Sequence, residues 1–201
     1  MSYQEWESLI TPSTAQASGA GAALSTAATA TLSPVTGGSA DVAQVNSEGA
    51  FQGWQAGMQI RVTARGFITT TTTSTTFTGL LAARVGNTGS TYVTLATTAA
   101  LTTGTTALTG IPWKFAALIR CTQVATSGNT VATEGEFQLQ NNVTAPTIGT
   151  ANSIFLPMPN ASGETNAAVD TTQIQGISLR GTLAGANATV QLTQWLVEAL
   201  N

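Results

Sequence analysis

The stretch WKFAALIRCT at residues 113–122 carries the clearest fold signal in this chain. Every second side chain in it is apolar: Trp113, Phe115, Ala117, Ile119 and Cys121. Successive side chains of a β-strand point to opposite faces, so a repeat of two predicts a strand with one buried face. We therefore expect Cys121 to be a small buried apolar side chain and not a reactive thiol.

Strand patterns recur along most of the chain after residue 58. Besides 113–122, they lie at residues 58–64, 77–85, 92–97, 130–140, 153–158, 173–183 and 190–199. Stretches rich in Gly, Asn, Thr and Pro separate them, without helical patterns between. About eight short strands of this kind predict an all-β fold, an antiparallel β-sandwich of the jelly-roll type.

The last of these strands changes phase. Val190 and Leu192 share one parity, whereas Trp195, Val197 and Ala199 share the other. Such a change predicts a β-bulge or a strand buried on both faces. We therefore expect the indole of Trp195, like that of Trp113, to lie in the core.

Two polar segments are expected in turns. Residues 69–76, TTTTTSTT, form either a polar turn between two strands or a threonine ladder at a subunit contact. Asp170 precedes two threonines, and we expect it to cap a turn.

The first 50 residues differ from the rest of the chain. Small residues fill positions 15–40 without a clear period, which divides the chain into an extended N-terminal arm, 1–50, and a jelly-roll β domain, 51–201. Residues 3–10 are expected to form a short helical turn, with Ser2 as its N-cap and Glu5 in the capping-box position.

Small side chains allow two backbones to approach closely, so we expect the arm to lie along a partner chain. The alternative is that it packs back on its own body. Apolar and aromatic residues at its start and at its junction with the body are the candidate contacts: Tyr3, Trp6, Leu9, Ile10, Phe51 and Trp54.

The chain has few of the residues from which active sites are built. It contains no histidine and one cysteine, and 7% of its residues are charged. Without imidazole there is no Ser-His-Asp triad, Cys-His dyad or histidine metal ligand. We therefore expect no enzymatic activity, no metal and no cofactor.

The charge distribution restricts the partners. The six cations are scattered, whereas nucleic-acid binding needs clustered Lys and Arg. We also expect no membrane span, no secretory leader and no internal disulfide, which together fit synthesis in a reducing compartment such as the cytoplasm. A net charge of −3 provides little repulsion between copies, so a surface covered by neighbours is expected.

One pair of carboxylates offers an alternative to a protein without catalytic activity or a metal site. Glu134 and Glu136 share a face of a predicted strand, and a glycosidase needs only two carboxylates. A calcium site would need further oxygen ligands nearby. The simpler interpretation is a solvated strand face or turn.

Four segments carry a resemblance to a known family: RVTARG at 61–66, IPWKFAA at 111–117, VDTT at 169–172 and NATVQLTQWLVEALN at 187–201. Together they resemble the small jelly-roll virion proteins of tailed bacteriophages, of the capsid decoration or head-fibre type, over residues 50–201. The resemblance implies a trimeric, β-rich, non-enzymatic protein on a viral particle.

On this basis we expect a capsid decoration (cement) protein. It would sit on the capsid surface, bind the major capsid protein shell and stabilise it. The alternative is a tail or baseplate knob that recognises host-surface glycans through exposed aromatic side chains. A third possibility, a carbohydrate-active enzyme, rests only on Glu134 and Glu136.

Overall fold

The computed structural model describes residues 6–10, 23–24, 29–32, 35–36, 40–41, 43–44, 54–85, 92–140, 153–159, 164–172 and 175–200. Among these residues the regular structure is entirely β-strand. The strands are β1 Trp6–Ile10, β2 Ala23–Leu24, β3 Thr29–Thr31, β4 Val35–Thr36, β5 Ala40–Asp41, β6 Ala43–Gln44, β7 Gln59–Thr70, β8 Thr76–Val85, β9 Tyr92–Thr97, β10 Leu101–Thr102, β11 Leu108–Cys121, β12 Val131–Gln140, β13 Ser153–Met158, β14 Thr165–Ala167, β15 Gln175–Leu183 and β16 Ala188–Leu200.

Two antiparallel sheets form the body. The larger sheet runs β1-β16-β7-β11-β12-β13, with β14 on β12 and β2 on β16. The smaller sheet runs β10-β8-β15-β3, with β9 on β8 and β6 on β15. The sheets pack against each other, so the predicted all-β sandwich is confirmed.

The long strands pair in a nested way. The first, β7, pairs with the last, β16, and the second, β8, pairs with the penultimate strand β15. Between these pairs, β11, β12 and β13 form a meander in the larger sheet. The jelly-roll type of sandwich, a more specific claim than the sandwich itself, stays a prediction.

Aromatic side chains join the two sheets. Phe77 on β8 and Phe137 on β12 have ring centroids 5.6 Å apart, and Trp113 stacks on Phe137 at 5.5 Å. Trp113 and Trp195 are 2% and 0% exposed, which confirms that both indoles lie in the core. Burial of such rings supplies much of the stability of a domain of this size.

The eight strands predicted from periodicity all correspond to strands of the structure. Two of them, β9 and β13, have the predicted bounds. Of the two alternatives for the last strand, a bulge or burial on both faces, the structure shows the bulge, because the pairing of β16 with β7 shifts register between Leu192 and Gln194. The bulge turns Val190 and Trp195 to the same buried face although their positions differ in parity.

The predicted helical turn at residues 3–10 is wrong over the part that is described. Residues 6–10 form β1, which pairs antiparallel with β16 along its whole length. A helix of two turns is marginal in water, whereas pairing satisfies the free edge of β16. Ser2 and Glu5, the predicted capping residues, lie outside the described residues.

Other short strands of the first 50 residues also pair with the body. Strand β2 pairs with β16, and β3 and β6 pair with β15. Strands β4 and β5 pair with each other. In this single chain, β1, β2, β3 and β6 therefore lie on the sheets of the same molecule.

Candidate functional site

The outer face of the larger sheet carries most of the charged side chains of the described body. Cross-strand pairing places Arg61 on β7 between Glu198 on β16 and Leu118 on β11, and Leu118 lies opposite Glu134 on β12. In the next row Ala116 lies opposite Glu136. Alternation along each strand turns these side chains away from the core.

A groove of about 680 Å³ lies over these rows. Its lining includes Arg61, Leu118, Glu134, Glu136, Pro157 and Glu164. Small and apolar residues form its floor, and carboxylates stand on its sides. We call it the acidic groove.

Glu134 and Glu136 are both exposed and share one face of β12, as the sequence predicts. Gly135 between them turns towards the interior, where a Cβ would lie 2.5 Å from the carbonyl oxygen of Ala116. Within the described residues, neither carboxylate forms an ion pair. The described residues also hold no group of three or more His, Cys, Asp or Glu side chains that could bind a metal ion.

The two arginines beside the acidic groove already have partners. Arg61 Nη1 lies 3.6 Å from Glu198 Oε2. Arg120 Nη2 donates to both carboxylate oxygens of Glu164, at 2.8 and 2.9 Å. These side chains are well exposed, so each pair contributes at most about 1 kcal/mol. Arg61 lines the groove but pairs with Glu198, so Glu134 and Glu136 are carboxylates of the groove that form no ion pair among the described residues.

A second charged feature lies further along the same face. Arg65 and Lys114 are exposed and directly opposite each other on β7 and β11. Phe67, two residues from Arg65 on the same face of β7, is 42% exposed. We call these three residues the basic patch. Phe155 on β13, in the row of Lys114, is 60% exposed.

Periodicity could locate this outer face but not the two charged features on it. The register that brings Arg65 opposite Lys114 joins residues far apart in sequence. The same holds for Arg120 and Glu164, which are 44 residues apart. The sequence signal available was only that each residue has the outward parity of its own strand.

The structure describes four of the six candidate contact residues from the sequence. Trp54 is 4% exposed and belongs to the core of its own chain. Trp6, Leu9 and Ile10 lie on β1 along β16. The remaining two, Tyr3 and Phe51, lie outside the described residues.

Cys121 is fully buried, which confirms its predicted place in the core. Desolvation by burial raises the pKa of the Cys121 thiol, and a backbone hydrogen bond with Gln123 opposes that shift more weakly. A buried neutral thiol is a poor nucleophile and a poor metal ligand.

The threonine run forms the predicted turn. Strand β7 ends at Thr70 and β8 begins at Thr76. Ser74 Oγ donates to the carbonyl oxygen of Thr103 at 2.6 Å, and the Thr75 amide donates to Thr103 Oγ1 at 2.9 Å. Hydroxyls in this turn therefore join it to the segment before β11.

Asp170 caps a turn, as the sequence predicts. Its Oδ1 accepts from the amide of Thr172 at 3.0 Å and from the hydroxyl of Thr172 at 2.6 Å. Sequence reasoning missed the neighbouring hydrogen bonds of Thr130, whose Oγ1 donates to the Val169 carbonyl at 2.6 Å and accepts from the Val169 amide at 2.8 Å.

Comparisons of the chain with known protein families, with characterised proteins and with solved structures give no match. No helix among the described residues is long and apolar enough to cross a membrane. The surface of the larger sheet therefore has to be interpreted from its own chemistry.

Proposed function

We propose that this chain is a bacteriophage capsid decoration protein, a non-enzymatic component that binds the outside of the major capsid protein shell and stabilises it. The observation that carries the proposal is the outer face of the larger sheet. It exposes Phe67 and Phe155 and leaves Leu118 half-buried. Exposed apolar groups on a folded sheet are typical of surfaces that contact other proteins.

The sandwich supports the proposal mechanically. Long antiparallel strands with continuous backbone pairing resist deformation along the strand direction, which suits a protein that holds shell subunits together. The β7–β16 pairing spans the length of both strands except at the bulge. A rigid body of this kind loses little conformational entropy when it binds.

The composition supports it as well. Six Lys and Arg and nine Asp and Glu in 201 residues leave the surface dominated by Thr, Ala, Gly and Asn. Such a surface is poorly protected from association as an isolated monomer. A protein covered by shell subunits and by copies of itself, as in the trimer that the family resemblance implies, has no such disadvantage.

The test is add-back to particles. Phage particles that lack this protein are purified, mixed with the recombinant chain and imaged by cryo-electron microscopy. We expect density repeated over the shell, with hundreds of copies per particle, and a higher temperature of genome release. Density confined to a few copies at the tail would contradict the proposal.

The alternative, a tail or baseplate knob that binds host glycans, is favoured by one observation. The rings of Phe67 and Phe155 are exposed on one face, and aromatic rings are common platforms for sugars. A glycan array decides it, together with labelling of the tail. Specific binding that is lost in Phe155→Ala, with tail labelling, would replace the decoration proposal.

Catalysis by Glu134 and Glu136 is tested separately. Glycosidase activity on a panel of aryl glycosides, abolished in Glu134→Gln, would contradict the non-enzymatic part of the proposal. We expect the Glu134→Gln variant and the unaltered chain to be equally inactive.

A further inference from the structure

The outer face of the larger sheet carries two cations and two carboxylates that form no ion pair among the described residues. The cations, Arg65 and Lys114, lie in the basic patch, and the carboxylates, Glu134 and Glu136, lie in the acidic groove. The other charged side chains of this face, Arg61 with Glu198 and Arg120 with Glu164, are paired.

The unpaired charges of each feature have one sign. Arg65 and Lys114 are direct cross-strand neighbours, and like charges in that position destabilise a sheet. Glu134 and Glu136 are next neighbours on one face of the same strand. Within one chain, Lys114 and Glu136 are diagonal neighbours across β11 and β12 and offset each other in part. An opposed surface of the opposite charge would relieve the like-charge repulsion that is left.

The apolar side chains of this face support the same match between the basic patch and the acidic groove. Phe67 is exposed beside Arg65, and the acidic groove has Leu118, partly buried, on one side of its carboxylates and exposed Pro157 on the other. A surface that offers two cations and a ring therefore matches a groove that offers two carboxylates and an apolar floor. Both surfaces belong to the same chain.

We propose that two copies of this chain associate through the outer face of the larger sheet, with the basic patch of one copy against the acidic groove of the other. A two-fold axis makes this contact twice, because each copy then presents its patch to the groove of its neighbour. This contact covers the face that is assigned above to shell binding, so a second copy and the shell are alternative occupants of it. The inference does not rest on the proposed function.

The experiment is sedimentation velocity of the purified chain over a range of concentrations. We expect self-association that weakens as the salt concentration rises, because the pairs are partly exposed to solvent. Arg65→Glu with Lys114→Glu, and separately Glu134→Lys with Glu136→Lys, should each weaken it by about tenfold or more. These two variants change the net charge in opposite directions, so a loss in both is not an effect of net charge.

Two rescue measurements make the pairing specific. An equimolar mixture of the two double variants should form mixed dimers, and the quadruple variant, which has the original net charge, should self-associate again. Circular dichroism and a thermal melt confirm that each variant is folded. The patch-to-groove contact is refuted if the original chain stays monomeric at its highest soluble concentration, if either double variant self-associates like the original chain, or if neither rescue occurs between folded variants.

Discussion

The indole of Trp113 occupies the space that a side chain on Gly66 would need. The two residues lie directly opposite each other on β11 and β7, and a Cβ on Gly66 would lie 2.5 Å from Cζ2 of Trp113. From β16, the carbonyl oxygen of Gln191 closes the same space. The central pairing of the larger sheet therefore depends on the absence of a side chain at position 66.

Replacement of that glycine should be costly. We expect Gly66→Ala to lower the free energy of unfolding by about 3 kcal/mol, because a backbone carbonyl and a packed indole both have to move. Urea denaturation followed by tryptophan fluorescence measures it. The control is Gly79→Ala on β8, where the nearest atom to a Cβ is Thr98 Cγ2 at 3.4 Å, an ordinary contact. Equal losses in the two variants would contradict this packing argument.

Two buried threonines should respond in opposite ways to valine. Thr130 and Thr133 are both 0% exposed. Thr130 Oγ1 is hydrogen-bonded to Val169, whereas Thr133 Oγ1 has no hydrogen-bond partner in the part of the chain that the structure describes. Thr130→Val should lower the free energy of unfolding by about 1–3 kcal/mol, because it strands the buried amide of Val169.

Thr133→Val makes the same change of shape as Thr130→Val. It should leave the free energy of unfolding unaltered or raise it, because it removes an unsatisfied hydroxyl from the core. Thermal unfolding by calorimetry compares the two variants. A destabilisation by Thr133→Val as large as that by Thr130→Val would show that burial alone, and not hydrogen bonding, sets the cost.

Cys121 should not react with thiol reagents in the folded chain. It is fully buried, and burial raises the pKa of its thiol above the ordinary 9.0. We expect negligible reaction with a disulfide reagent at neutral pH and prompt reaction of one thiol per chain in denaturant. Rapid labelling under native conditions would contradict the burial.

The same shift predicts a pH dependence. The unfolded chain loses the thiol proton near pH 9.0, whereas the folded chain keeps it to higher pH. The folded state then binds more protons, so stability should fall as the pH rises above 9.0. Cys121→Ala should remove that part of the decline, and a decline of unchanged size in Cys121→Ala would assign it to other groups.

Deletion of Thr193 should disrupt the larger sheet. This residue is the extra one in the β16 bulge, so its loss moves Trp195 and Val197 to the solvent face or breaks their pairing with β7. We expect loss of cooperative unfolding, measured by circular dichroism. Thr193→Ala keeps the bulge and loses one exposed hydrogen bond to the Arg65 carbonyl, so it should cost less than about 1 kcal/mol. A cooperative transition in the deletion variant would show that β16 can slip.

The alternation of apolar and polar residues was sufficient to predict which face of a strand in the body is buried. The alternation at residues 113–122 placed Trp113 and Cys121 in the core, and the change of phase after Leu192 predicted the bulge. It failed for residues 6–10, where a capping signal favoured a helix and the free edge of β16 accepted a strand. Pairing with an existing edge satisfies more backbone groups than one isolated helical turn.

By itself, then, the sequence determined the class of fold, the core faces and the scarcity of catalytic side chains, because these follow from side-chain type and a repeat of two. Only the tertiary structure decided which outward residues are neighbours. The pairing of β7, β11 and β12 sets Arg65 beside Lys114 and opens a groove at Glu134 and Glu136. Cross-strand register depends on the packing of the whole core, and no local pattern contains it.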